Sequence, residues 1–331
     1  MKQIRIGRRT IAIHTVKDLP TFREYCLETI SKKEKAKLLK PTTVEAYLGQ
    51  TALAFPAIGD LRLNQITAQE LNDLYGGLIN SGYSPKTVRE VHNLISGTLQ
   101  RAWKEDLLPI NIALKADPPK RKKPTIRYYT PEQIKEIFRA LEEEPLKWRV
   151  FVQLLFFAGL RKGEAVALWW EDVNPYTGAI TIHRNGQYTP RNGVYIDTPK
   201  TAASNKVVLV PHFVCELIEE HRQDQIREGI NSPFMFAREN GEMVHPDAVK
   251  CFFERMNRRN PQLPKLNCHA FRHSVATYLH HEGVPLVQIA KMLGHSSPST
   301  TLAIYTHAWQ EGDEQIRSVL EKNFILKGET N

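Results

Sequence analysis

The chain has 331 residues, 41% of them hydrophobic, which is enough to bury sizeable cores and too much for one ordinary small domain, so two domains are expected. Lys and Arg number 45 against 36 Asp and Glu, a net charge of +9, which suits a polyanionic partner without naming it. Cys26, Cys215, Cys251 and Cys268 include no CxxC pair, which argues against a zinc ribbon or a disulfide framework and for a reducing compartment. The basic start of the chain lacks the apolar run of a signal peptide and no later stretch has membrane-spanning length, so no membrane and a cytoplasmic location are expected.

From about Asp18 to Leu108 the sequence reads as short helices with explicit start signals. Thr67-Ala-Gln-Glu70 has the form of a capping box, opening a helix through Leu71, Leu74 and Leu78. Ser84-Pro85 offers an N-cap and a first-turn proline to a helix whose apolar positions Val88, Val91, Leu94, Ile95, Leu99 and Ala102 recur at helical spacing. Lys115 to Arg127 then carries three prolines among Lys120, Arg121, Lys122 and Lys123. Such a stretch cannot be regular helix and is expected to be an exposed linker, either a strap that touches DNA or an ordinary solvated run of charge.

Thr130-Pro131-Glu132-Gln133 is a second start signal, and Phe151 to Ala158 is apolar enough that its helix must be buried, with Gly159 ending it. The segments 179–184, 194–198 and 207–210 alternate or are β-branched, and they are expected to form one small antiparallel sheet. Helices resume from Phe213, and the last is amphipathic through Ile316, Val319, Leu320 and Phe324.

Cationic and imidazole side chains recur at element ends in this larger part. Arg161 follows the buried helix, Lys200 falls in the turn between the second and third strands, and His269 and Arg272 form an His-x-x-Arg pair that a helix places on one face. His295 follows Gly294, a helix stop, and Tyr305 lies on the next segment. In the stretches Ala158-Gly-Leu-Arg-Lys-Gly-Glu164, Thr198-Pro-Lys-Thr201, His269-Ala-Phe-Arg-His-Ser274, Leu293-Gly-His-Ser-Ser297 and Ile304-Tyr-Thr-His307 the sequence resembles the tyrosine recombinases of the phage integrase family, in order and in spacing. Lys40-Pro-Thr-Thr-Val-Glu-Ala-Tyr47 and the helices after it resemble that family's core-DNA-binding domain, so that only about the first fifteen residues lie outside the likeness.

The resemblance implies a mainly α fold with a small antiparallel β-sheet. It divides into a short N-terminal segment 1–15, a helical core-DNA-binding domain 16–115, a basic linker 116–127 and an α/β catalytic domain 128–331 ending in a helix. It also implies cutting and rejoining of DNA by a site-specific integrase acting on a mobile element, with no metal or nucleotide cofactor. Tyr305 would be the nucleophile, forming a 3′-phosphotyrosine and freeing a 5′-hydroxyl. Arg161 and Arg272 would clamp the phosphate, His295 would hydrogen-bond it, His269 would take the phenolic proton and Lys200 would supply the leaving group with one. Glu164 would orient Arg161, and Lys120, Arg121, Lys122 and Lys123 would contact DNA. The implied partners are double-stranded DNA and three further copies of the chain on it, with a directionality factor left open.

Other readings weigh against single residues. A turn lysine such as Lys200 is ordinarily solvated and a lone tyrosine ordinarily packs in a core or lies on the surface. His269 with His273 has the i, i+4 spacing of a metal pair, but HExxH's glutamate and a third ligand are missing. Ile289 to Tyr305 also resembles a helix-turn-helix, which would make the chain a repressor but would leave Arg161, Lys200 and Arg272 without a role. A type IB topoisomerase shares the tyrosine chemistry but fits the two-domain layout less well. Two positions depart from the family pattern: Ala270 stands where an acidic residue is frequent, and Asn205-Lys206 replaces a common arginine. The stretch from Gln3 to Val16 is also short for the arm-binding domain many integrases carry.

Overall fold

The computed structural model describes residues 19–120, 127–197 and 205–294, together with the backbone of two short strands before them. The chain divides into two compact units, Met1–Pro124 and Thr125–Asn331. The division falls inside the Pro-rich basic stretch, of which residues 121–126 lie outside the described ones, while Lys120 before them is exposed.

In the first unit β1 (Lys2–Ile6) pairs antiparallel with β2 (Arg9–Ile13), a hairpin that the sequence reading did not anticipate. Four helices follow: α1 (Phe22–Lys35), α2 (Pro41–Ile58), α3 (Ala68–Asn80) and α4 (Pro85–Lys104). Their starts are set by side chains that satisfy backbone N–H groups left over in the first turn. The Thr67 hydroxyl accepts from the Glu70 N–H at 3.2 Å while the Glu70 carboxylate accepts from the Thr67 N–H at 2.7 Å. The Ser84 hydroxyl accepts from the Thr87 N–H at 3.1 Å, with Pro85 in the first turn. Thr21 and Glu24 form a further capping box at α1. The apolar stripe of α4 is core: Val88, Val91, Ile95, Leu99 and Ala102 have no exposed surface, and they pack with Phe22, Ile58 and Leu71.

The second unit is built around α6 (Leu146–Phe157), which contacts α5 (Pro131–Leu141), α8 (His212–Arg227) and α10 (Cys268–His281). Phe151, Phe236, Phe252 and Phe271 are fully buried around it, so an apolar helix finds cover on several sides. The start signal at Thr130 proves to be a capping box, with the Gln133 side-chain oxygen accepting from the Thr130 N–H at 3.0 Å. Between α6 and the sheet lies the short α7 (Lys162–Val166), and after the sheet come α9 (Pro246–Arg259) and α11 (Leu286–Leu293).

The strands differ from the expectation. β3 (Val173–Asn174), β4 (Ala179–Ile182) and β7 (Lys206–Leu209) form one antiparallel sheet in the order β3-β4-β7. The segment expected as its middle strand, β6 (Gly193–Asp197), pairs instead with β5 (Asn185–Thr189) in a separate hairpin. The physical reason is local closure: Thr189 to Gly193 makes a tight turn, with Gly193 at φ 66°, so β6 meets its sequence neighbour before any distant strand. β5 escaped notice because Asn185-Gly186 has little strand propensity. It is held by packing instead, and Gly163 of α7 lies so close that a Cβ there would meet Asn185 Oδ1 at 2.1 Å.

Candidate active site

Arg161 is brought to its place by the end of α6. The chain leaves that helix through Gly159 at φ 58°, where a Cβ would also sit 2.8 Å from Leu293 Cδ2 of α11, so both the turn and the close packing call for glycine. Arg161 then precedes α7, and Glu164 one turn on reaches back to it. The Glu164 carboxylate accepts from the Arg161 backbone N–H at 2.9 Å and from its guanidinium Nη1 at 2.6 Å. Glu164 is buried, whereas the Arg161 side chain keeps 38% of its surface exposed. The carboxylate therefore holds the root of the arginine and one corner of its guanidinium, while the rest of the side chain keeps exposed surface for a ligand.

Arg272 comes from α10, one turn after His269. It is 4% exposed, and its guanidinium donates to the carbonyls of Gly159 and Leu293. Those two bonds fix the plane of the fork and tie α10 to the end of α6 and to the end of α11. Asn267 caps α10 by accepting from the Ala270 N–H at 3.0 Å. His269 is exposed in the first turn, and its pKa is lowered by the cover it has and by the positive charges of Arg272, Arg161 and Lys162. Those charges place His269, Arg161 and Arg272 around one electropositive site, and they favour the neutral imidazole.

Lys206, at the start of β7, was noted in the sequence only as a departure. Its side chain is 5% exposed, with Nζ donating to the Met292 carbonyl at 2.8 Å and lying 3.9 Å from Glu164 Oε2. Burial pushes its pKa down to about 7, with Arg272 and Arg161 adding to the effect and Glu164 opposing it. Burial alone would raise the Glu164 carboxyl, but Lys206 first, then the N–H and charge of Arg161, and then Arg272 hold it below the ordinary value. The sequence carries no clear signal for it: Val207, Val208 and Leu209 are all apolar, and only the structure shows that Lys206 shares the inward face of β7 with Val208 while Val207 and Leu209 face out.

Of the sequence-derived site, Arg161, Glu164, His269 and Arg272 are thus brought together. Lys200, His295 and Tyr305 lie outside the described residues, as do Arg121, Lys122 and Lys123 and the segment expected to form the C-terminal helix. Among the described residues no group of three or more His, Cys, Asp or Glu is placed to hold a metal ion. No helix among them is long and apolar enough to cross a membrane.

Similarity to known proteins agrees with this geometry. Residues 127–311 match the model of the phage integrase family. The chain is 26% identical over 266 residues to the ICEBs1 integrase of Bacillus subtilis, covering 78% of this chain and 72% of that one. It is 27% identical over 299 residues to a XerC-like tyrosine recombinase of Caldanaerobacter subterraneus, covering 81% and 74%. In structure it superimposes on the Tn1549 transposon integrase in complex with transposon right end DNA, with a TM-score of 0.79 at 20% identity over 92% of this chain and 99% of that one. The fold is also that of a lambda integrase dimer bound to a core site, with a TM-score of 0.65 at 16% identity over 86% and 77%. With a family match covering more than half of its length on the very residues that build the Arg161 and Arg272 site, the chain belongs to the phage integrase family, the tyrosine recombinases that cut and rejoin DNA.

Proposed function

We propose that Tyr305 is the nucleophile of this recombinase, and that Arg161, Lys200, His269, Arg272 and His295 surround the scissile phosphate. The observation that carries the reading is the convergence of Arg161, Arg272 and His269, three cationic or imidazole groups from two separated helix starts, on one site braced by Glu164. Attack of the phenolic oxygen on phosphorus forms the P–O(Tyr) bond and breaks the bond to the 5′-oxygen. The phenolic proton passes to His269, whose lowered pKa leaves it neutral and able to accept. The 5′-oxygen takes a proton from Lys200 and leaves as a hydroxyl. The charge that builds on the non-bridging oxygens meets Arg161 and Arg272, which remain cationic at any working pH, with His295 as a further donor. Because the phosphotyrosine retains the bond energy, reversal by a 5′-hydroxyl from another duplex rejoins the strand.

Several finer points belong to the same proposal. The first unit and the linker, with Lys120, Arg121, Lys122 and Lys123, bind the DNA backbone flanking the cut. Four copies assemble on two duplexes, as a lambda integrase tetramer does on a Holliday junction. The substrate is the end of an integrating element, in keeping with the ICEBs1 integrase relative and the Tn1549 integrase neighbour. The deciding experiment is incubation with a nicked suicide substrate. A denaturant-resistant protein–DNA adduct should map to Tyr305, and Tyr305→Phe should bind the same DNA without forming one. An adduct that persists in Tyr305→Phe would move the nucleophile elsewhere.

A further inference from the structure

Three cations and one carboxylate share the space behind the proposed phosphate site. Glu164 accepts from Arg161 with both oxygens, and Lys206 Nζ stands 3.9 Å from the one that takes the Arg161 backbone N–H. On the far side Lys206 donates to the carbonyl of Met292 while Arg272 donates to that of Leu293, the next residue, so two neighbouring carbonyls at the end of α11 are taken by two different cations. A helix C-terminus carries partial negative charge, which makes this a favourable seat for both. Lys206 nevertheless has almost no contact with water, and an ammonium group is not left in such a place by packing alone.

We propose that Lys206 is a positioning residue of the active site: it shares Glu164 with Arg161 and ties that carboxylate to the end of α11, so that Arg161 is held without being neutralised. The proposal rests on the reading of Arg161 and Arg272 as the phosphate clamp. With Lys206 uncharged, Glu164 faces Arg161 as its nearest cation and cancels much of the charge meant for the phosphate. With Lys206 protonated, the two arginines and the lysine outweigh the single carboxylate by two charges, which suits a phosphoryl centre gaining negative charge in the transition state. Its pKa near 7 means that this charge is lost near neutral pH. Among the described residues the charged groups acting on it are Glu164 and Arg161 beside α7 and Arg272 of α10, while α11 offers a carbonyl and the paired position on β4 is the apolar Ile182.

The test is single-turnover cleavage of the suicide substrate by the full chain, with DNA affinity measured in parallel. Lys206→Met keeps the volume and loses the charge, and Lys206→Arg keeps a permanent charge. Lys206→Met should cleave about tenfold to a hundredfold more slowly, the usual cost of losing a group that orients a reacting side chain, with affinity for the site little changed. Lys206→Arg should recover most of the rate. The ratio of unmutated to Lys206→Arg rates should also fall as pH rises from about 6 to about 9, since only the lysine loses its charge there. Unmutated rates and an unmutated pH profile in Lys206→Met would overturn the proposal. If Lys206→Met fails to fold, a flat ratio between lysine and arginine across that pH range overturns it equally, and a falling ratio supports it. Arg161→Ala serves as the separate control: cleavage surviving in it removes the phosphate clamp itself, a different result from the loss of Lys206's role alone.

Discussion

Glu164 bonds Arg161 at both ends, taking its backbone N–H at 2.9 Å and its guanidinium at 2.6 Å. The same carboxylate thereby starts α7 and aims the side chain that leads into the site. An arginine with a long, flexible stem would otherwise lose considerable rotamer freedom on binding phosphate, and the pairing meets that cost in advance.

Glu164→Gln is therefore expected to keep the cap and lose the aim. A glutamine oxygen still accepts from the Arg161 N–H, but it gives up the charge-assisted bond to the guanidinium. Single-turnover cleavage should fall by about tenfold to a hundredfold while DNA affinity stays close to that of the unmutated protein, and thermal stability should drop as well, because the buried Lys206 loses its counter-charge. Should cleavage proceed at the unmutated rate, Arg161 does not depend on Glu164 for its direction.

The proposed role of Lys200 as the acid can be told from a simple phosphate contact by changing the leaving group. A 5′-alkoxide needs a proton as it departs, whereas a 5′-thiolate, from a thiol of pKa about 8.5, does not. Lys200→Ala should cleave ordinary DNA slower by about a hundredfold or more. On a 5′-bridging phosphorothiolate the same variant should run nearly as fast as the unmutated enzyme, and Arg161→Ala should gain no such rescue. Equal impairment of Lys200→Ala on both substrates would assign the acid to another group.

His221 predicts how the second unit responds to acid. It is 4% exposed in α8, its Nε2 donates to the Met235 carbonyl at 2.8 Å, and its buried Nδ1 has no partner among the described residues. Burial lowers its pKa below the ordinary 6.5, with the Met235 carbonyl opposing. The folded state thus binds this proton less readily than the unfolded chain. The stability it confers is fully present above pH 6.5 and is lost as pH falls below that value. One such group contributes a slope of at most about 1.4 kcal/mol per pH unit. Thermal or denaturant unfolding between about pH 7.5 and pH 5 should show that loss, and His221→Gln, which cannot titrate, should show a shallower one. Parallel curves for the two proteins would mean that His221 takes up no proton on unfolding.

Much of this protein is legible in its sequence because the information is local. The caps at Thr67, Ser84 and Thr130, the stripe of α4, the buried α6 and the glycine that ends it all follow from neighbouring residues competing for the same backbone groups or the same face. The motif order likewise marks Arg161, Glu164, His269 and Arg272 before any geometry is known. What the tertiary structure alone decided is non-local. β7 pairs with β4 across an intervening hairpin, because the partner of a strand is set by packing and closure between distant segments rather than by propensity. In the sequence Lys206 is only part of the Asn205-Lys206 pair that stands in place of a common arginine, and an isolated lysine carries no sign of burial. Only the fold, which sets Glu164 on one side of it and the carbonyl end of α11 on the other, supplies the charges and dipoles that make burying it tolerable.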